Sequence, residues 1–240
     1  MILGTYDMEI SVIIPTFNEE LTITKTLESL SRLINVAEVV IVDGGSTDKT
    51  AEIAENFSGL KKLVVVKTNE ANRGKQLHEG TRHAAHEIFW FVHADTRPQQ
   101  GCARQIKSVM RFDEVVGGNF EVIFNGDTRS AKFLTWLYPL LRSWGLCYGD
   151  SAFFVRREIY EKIGGFKPIG AFEDLDLYHR LRKKGRFYHM SQAVTTSSRR
   201  FENRSFPLTF LRWSVFQVLY WFKFPPEKLA KYYLPIREAE

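Results

Sequence analysis

Acidic, cationic and imidazole side chains recur in this chain at the ends of apolar runs, where a few of them can do chemistry. Asp174 is the most informative. In Glu173-Asp-Leu-Asp-Leu-Tyr-His-Arg-Leu181 it shares a helical face with Leu177, Tyr178 and Leu181, at spacings of three and four. Those residues belong inside, so Asp174 should face inward at the start of its helix. An inward carboxylate needs a partner or a task; it either caps the helix or acts on something bound there. Asp176 points nearly the opposite way and is expected at the surface. His93 and Asp95 follow the apolar run Ile88–Val92, and strand alternation predicts that both face one side. Asp is a hard ligand suited to Mg2+ or Mn2+, which bridge to diphosphate oxygens; alternatively Asp95 caps the next loop. Asp43 ends another apolar run. Its carboxylate can accept from a base or ribose edge, although Asp43-Gly-Gly-Ser-Thr-Asp48 is also good turn chemistry. Arg73 and Lys75 flank Gly74 at a predicted helix start. Cations there oppose the helix dipole unless an anion is present, which suggests a phosphate contact.

These residues need elements to hold them. Ile10–Ile14 is nearly continuous in apolar character, as in a strand buried on both faces. A helix from about Glu19 should line one face with Ile23, Leu27, Leu30 and Ile34. Val39–Val42, Leu63–Val66 and Ile88–Val92 read as further strands, with Ser46-Thr-Asp48 capping one intervening helix and Gly74 to His86 forming another. Strand–helix–strand at this interval predicts right-handed crossovers and an open, mostly parallel α/β sheet with helices on both faces. Ligands bind outside the carboxyl ends of such strands. Pro15-Thr-Phe-Asn-Glu19, the Asp43 cluster and His93-Ala-Asp-Thr96 should therefore converge on one cleft. Later segments are less regular. Phe120–Phe124 and Ala152–Val155 suggest strands, Ser130–Trp144 and Glu173–Lys184 helices.

Composition narrows the classes. The 240 residues are 44% apolar and 25% charged, ordinary globular usage, with a net charge of +5 that suits an anionic ligand or surface. Two cysteines, Cys102 and Cys147, make no disulfide framework, so a reducing, cytoplasmic setting is expected. Met1–Met8 has neither a basic nor a long apolar stretch, so no signal peptide is expected. No G-x-G-x-x-G follows the first strand and no G-K-[ST] loop occurs, which disfavours a redox dinucleotide enzyme and a P-loop ATPase.

Taken together, Val12-Ile-Ile-Pro-Thr-Phe-Asn-Glu19, Ile41-Val-Asp-Gly-Gly-Ser-Thr-Asp-Lys-Thr50, Asn72-Arg-Gly-Lys-Gln76, Val92-His-Ala-Asp-Thr96, Tyr148-Gly-Asp150 and Phe172-Glu-Asp-Leu-Asp176 resemble family 2 glycosyltransferases of the GT-A, Rossmann-like fold. The ordered set spans residues 10 to about 200. It is most similar to the small subgroup associated with radical-SAM and selenium-linked domains. The resemblance implies a nucleotide-diphosphate sugar donor and a divalent metal, Mn2+ or Mg2+. It implies that Pro15, Thr16, Asn18, Glu19, Asp43, Gly44, Arg73, Gly74, Lys75 and Asp95 line the donor site. Asp95 matches the last carboxylate of the D-x-D signature. Asp174 matches the base that deprotonates the acceptor in inverting members, with Gly149, Asp150 and Glu173 on the acceptor side. His93 stands where the first D belongs, as a second metal ligand or a phosphate contact. Ser151 replaces the Gln that often follows Gly-Asp. Ser198-Arg-Arg-Phe-Glu202 replaces the Q-x-x-R-W of processive synthases, so processive synthesis is not expected.

Two other classes compete. A non-catalytic nucleotide-sugar-binding protein would explain the altered D-x-D. A sugar-1-phosphate nucleotidyltransferase would need a Gly-rich basic loop after the first strand, and Pro15-Thr-Phe-Asn-Glu19 is not one. The transferase domain is expected over residues 1–206, followed by an aromatic helical segment over 207–240. In that segment Trp213, Phe216, Tyr220 and Phe224 recur at spacings of three, four and four, interrupted by Arg212, Gln217 and Lys223. Leu208 to Phe224 is too short and charged for a span of about twenty apolar residues, and Pro225-Pro226 ends the helix. A membrane surface or a second subunit can cover it. The expectation is a peripheral enzyme on the cytoplasmic membrane face that acts on a lipid-linked or membrane-proximal acceptor, with no nucleic-acid partner.

Overall fold

The computed structural model describes residues 8–199, 205–230 and 232. In chain order the elements are β1 (Ile10–Thr16), α1 (Ile23–Ser31), β2 (Val36–Asp43), α2 (Thr50–Glu55), β3 (Leu63–Lys67), α3 (Arg73–His83), β4 (Ile88–Phe91), β5 (Thr96–Pro98), α4 (Cys102–Met110), β6 (Val115–Phe124), α5 (Arg129–Ser143), β7 (Phe154–Arg156), α6 (Arg157–Lys162), α7 (Glu173–Arg182), β8 (Arg186–Thr196), α8 (Phe206–Trp221) and α9 (Pro226–Ala230). One eight-stranded sheet runs β3-β2-β1-β4-β7-β6-β8-β5. β1, β2, β3 and β4 are mutually parallel, as is the β6–β8 pair; β7 runs antiparallel to β4 and β6, and β5 to β8. The predicted open α/β sheet is thus mostly parallel, with its antiparallel pairings in the second half.

Alternation along each strand divides the core in two. Ile10, Val12 and Ile14 of β1, with Ile88 and Trp90 of β4, pack with Ile23, Leu27 and Leu30 of α1. Ile13, Phe89 and Phe91 face the other way, onto Leu77 of α3 and Leu177 and Leu181 of α7. Helices cover both faces, which is why the strands read as continuous apolar runs. Ile34 does not join this core. It is 75% exposed because α1 ends at Ser31, and Leu33, at 8%, takes the inward position.

Gly80 lets α3 lie close on β1. A Cβ there would stand 2.4 Å from Ile13 Cγ2 and 3.1 Å from Val42 Cγ2. Both are stiff, β-branched and fully buried. Gly80→Ala would gain about 1 kcal/mol in helix propensity but incur up to ~3 kcal/mol of overpacking. A lower denaturant midpoint is expected; a raised one would show that α3 can move off the sheet freely.

Candidate active site

The polar clusters after β1 and β2 are one bonded unit. Asp43 Oδ1 accepts from Thr16 Oγ1 at 3.0 Å and Ser46 Oγ at 2.5 Å, and its Oδ2 from the Gly45 and Ser46 N–H groups at 3.1 and 2.9 Å. The carboxylate is 3% exposed and closes its own turn. Asn18 adopts a left-handed backbone with φ 53°, which Asn tolerates. Its N–H donates to Ser46 Oγ at 2.9 Å and its Oδ1 accepts from the Thr47 N–H at 2.9 Å. The Gly44 N–H donates to the Thr16 carbonyl at 2.8 Å, and Pro15 lies beside Val42 in the β1–β2 register. Gln76, buried in α3, donates through Nε2 to the carbonyls of Thr16 and Val42, 2.8 Å from each. It ties together the strand ends that carry the cluster. Asp48 takes the expected capping part, accepting from the Thr50 N–H at 2.9 Å, one residue before the formal cap Lys49.

The stretch after β4 departs from expectation. β4 stops at Phe91, and His93-Ala-Asp-Thr96 is a turn closed by the Thr96 N–H donating to the His93 carbonyl at 3.0 Å. Strand alternation therefore does not govern His93 and Asp95, and they find different partners. His93 Nδ1 meets Asp150 Oδ1 at 3.1 Å, while Asp150 Oδ2 accepts from Tyr138 OH at 3.1 Å. Asp95, with a 25% exposed side chain, has its Oδ2 3.7 Å from Arg199 Nη2. The same Nη2 donates to Glu19 Oε2 at 2.9 Å. Arg199 thus bridges the segments that follow β1 and β4.

Asp174 lies inside, as its helical face predicts. It is 6% exposed, with Leu177, Tyr178 and Leu181 at 0–1%, while Asp176 is partly exposed and paired with Lys167 and Arg180. Asp174 accepts from the Gly149 N–H at 2.6 Å (Oδ2) and the Leu175 N–H at 2.8 Å (Oδ1). Burial pushes its carboxyl up to about 6, and the charge of neighbouring Glu173 adds to the rise. Arg73 and the two backbone donors oppose it. Arg73 Nε donates to Glu173 Oε1, and its Nη2 lies 3.8 Å from Asp174 Oδ2. The anion opposite the α3 start is thus a protein carboxylate in this structure, and Lys75 likewise pairs with Glu70 at 2.7 Å. Asn72 caps α3 through the Lys75 N–H, and Gly74 is buried in its first turn. Glu173 Oε2 is buried with no hydrogen-bond partner among the described residues. A hollow with room for about one water lies between Arg73, His93, Gly149, Glu173 and Asp174. Gly149 leaves the necessary space, since a Cβ there would stand 3.1 Å from His93 Nε2 and 3.3 Å from Asp174 Oδ2.

Residues 11–168 match the model of the family described as glycosyl transferase family 2. The chain belongs to glycosyl transferase family 2. Curated relatives include the probable glycosyltransferase YdaM of Bacillus subtilis (strain 168), 28% identical over 204 residues, 76% of this chain and 48% of YdaM. The dolichol-phosphate mannosyltransferase of Pyrococcus furiosus is 27% identical over 169 residues, 66% of this chain and 45% of the relative. The chain spans about half the length of such relatives. Among solved structures, the mannosyltransferase PcManGT from Pyrobaculum calidifontis, in complex with GDP-Man and Mn2+, superposes with a TM-score of 0.70 at 21% identity, over 97% of this chain and 71% of that one. S. aureus TarS 1–349 in complex with UDP-GlcNAc gives 0.67 at 22% identity, over 83% and 61%. These likenesses establish the GT-A fold.

In this family 2 chain, sequence reading missed the bridging part of Arg199. The arginine sits in a segment used only to exclude processive synthesis, and no local spacing signals a bond to Glu19, 180 residues away. Gln76 was visible as part of Asn72–Gln76, but its hold on two strand ends was not. Arg200 to Arg204, which include the rest of the Ser198–Glu202 segment, lie outside the described residues.

The donor set after β4 fits a hard cation shared with a ligand. Asp95 offers a partly exposed carboxylate whose Oδ2 lies 3.7 Å from Arg199 Nη2, and His93 Nδ1 is engaged by Asp150. Among the described residues no three His, Cys, Asp or Glu side chains are grouped to hold a metal. Mg2+-type cations are commonly held by one or two carboxylates, with phosphate oxygens and waters completing the shell.

Proposed function

We propose that this chain transfers a glycosyl group from a nucleotide-diphosphate sugar to an acceptor hydroxyl, with inversion at the anomeric carbon. The observation that carries the reading is Asp174: a buried carboxylate raised to about 6 beside the Gly149–Asp150 segment. Such a group is suited to accept a proton near neutral pH. In one displacement the acceptor oxygen bonds to the anomeric carbon, the bond to the donor phosphate breaks, and its electron pair leaves with the nucleoside diphosphate. The hydroxyl proton goes to Asp174. Arg73 and Lys75 meet the growing diphosphate charge. The β1 and β2 ends, with Pro15, Thr16, Asn18, Glu19, Asp43 and Gly44, receive the nucleotide. Asp95 would hold a divalent cation, which supplies positive charge at the leaving group. GDP-Man with Mn2+ in PcManGT and UDP-GlcNAc in TarS support this choice of donor and metal.

On this proposal residues 1–206 are the transferase domain and 207–240 an appended segment, within the subgroup associated with radical-SAM and selenium-linked domains. The enzyme would work at the cytoplasmic face of a membrane, and the dolichol-phosphate mannosyltransferase among the relatives supports a lipid-carried acceptor. Incubating the pure protein with UDP-, GDP- and dTDP-sugars and Mn2+ tests it. Release of nucleoside diphosphate, by transfer or slow hydrolysis, is expected from at least one donor. Donors that bind without ever being turned over would overturn the proposal.

The pH profile should follow Asp174. A base works ionised, and this one protonates at about 6. kcat/KM is therefore expected to level off above that pH and to fall roughly tenfold per unit below it. Glu173→Gln removes a like charge that raises Asp174 and frees Arg73, so the acid limb should move to lower pH. A flat profile through this range would remove Asp174 from the role.

A further inference from the structure

Two helices leave apolar stripes outside. Leu208, Leu211, Val215 and Val218 of α8 and Phe222, the residue that caps it, follow one another by three and four residues and are 67, 60, 47, 43 and 80% exposed. Of the aromatics named from sequence, Trp213, Phe216 and Tyr220 are half-buried beside them, while Phe224 lies beyond the end of α8 and is 38% exposed. Phe133, Trp136 and Leu140 of α5 and Trp144, the residue that caps it, form a second stripe, with Trp136 and Trp144 at 64 and 74%. The stripes adjoin, because the Phe133 ring meets Phe206 and Phe210 at centroid distances of 5.9 and 5.8 Å. A contiguous apolar face of this kind calls for a partner.

Charge selects the partner. Neither α5 nor α8 contains Asp or Glu. Arg129 at the start of α5, Lys223 just after α8 and Lys228 in α9 are exposed. Lys132 has Asp127 at 3.6 Å, and Arg142 is committed to Glu121 at 3.0 Å. A second copy seated here would bring the same cations and no carboxylate from either helix. Anionic lipid headgroups supply the missing charge, and an acyl boundary takes the stripes. Among the described residues no helix is long and apolar enough to cross a membrane, so the face would lie on the bilayer.

The face is also joined to the site. Gln217, on the inner side of α8, accepts from Tyr148 OH at 2.8 Å, one residue before Gly149. Tyr220 stacks on Phe172 at 4.6 Å, one residue before Glu173. We infer that the α5–α8 face seats the chain on an anionic lipid surface, with the Tyr148–Asp150 side of the site held within about one helix diameter, ~10 Å, of that surface. The seating stands on the exposed stripes and cations; its use in presenting a lipid-borne acceptor rests on the glycosyl-transfer reading.

Flotation of the full chain with vesicles of phosphatidylcholine containing phosphatidylglycerol tests the seating. Flotation at low salt is expected, weaker on pure phosphatidylcholine and reversed by raised salt. Leu211→Glu/Val218→Glu, and separately Lys223→Glu/Lys228→Glu, should each reduce partitioning roughly tenfold or more, while thermal stabilisation by the nucleotide-sugar is retained. Two results would overturn the inference: a full chain that stays unbound at low salt, or a stable solution dimer that Leu211→Glu/Val218→Glu dissociates. Flotation by a protein that turns over no donor would support the seating and count against glycosyl transfer alone.

Discussion

Asp174→Asn is expected to fold, to bind donor and to lose roughly two or more orders of magnitude in transfer rate. The substitution keeps the shape of a side chain that is 6% exposed among Leu177, Tyr178 and Leu181. It leaves one oxygen to accept from either the Gly149 or the Leu175 N–H, and the other donor loses its partner. That loss costs about 1–3 kcal/mol, offset by removal of a buried charge whose carboxyl is already pushed up to about 6. The amide cannot take the acceptor proton. Single-turnover kinetics at saturating donor separate the chemical step from binding. Near-normal turnover would sink the assignment of the base.

A second large effect is expected at Asp95. Asp95→Ala should abolish the Mn2+-dependent part of donor binding, read as the loss of about 2.7 kcal/mol of added stability at a donor concentration a hundred times Kd. His93→Ala should only weaken it. The two residues are two apart in sequence but answer to different partners: Asp95 to Arg199 near Glu19, and His93 to Asp150 on the base side. Metal titration of both variants distinguishes the cases. Equal and complete loss in both would make His93 a true ligand, and no loss in either would move the cation elsewhere.

The β1–α1–β2 and β3–α3–β4 units, the inward face of Asp174 and the turn at Asp43 were legible in sequence. Each depends on residues within a few positions of one another: apolar runs buried on both faces, three- and four-residue helical spacing, and Asp-Gly-Gly turn chemistry. The motif order also carried the family, because its pieces fall at successive strand ends. Element ends were less legible. Ile34 has the right periodicity but lies past the end of α1, and His93 and Asp95 were placed by alternation although β4 had already stopped at Phe91. Periodicity states which way a side chain points while the element lasts, not where the element stops.

By itself, then, the sequence determined the repeating α/β pattern, the ordered motifs of glycosyl transferase family 2 and the inward carboxylate of α7. Only tertiary structure decided what the charges do. Arg73 has Glu173 across one hundred residues of chain, and Arg199 reaches Glu19 and Asp95 from the far end. Tertiary structure also set the exposed apolar face, since α8 turns its aromatics partly onto the domain and leaves Leu208, Leu211, Val215 and Val218 outside beside α5. The physical reason is common to all three. Local preferences act over one or two turns of chain, whereas an ion pair or an exposed stripe depends on which distant element folding brings alongside.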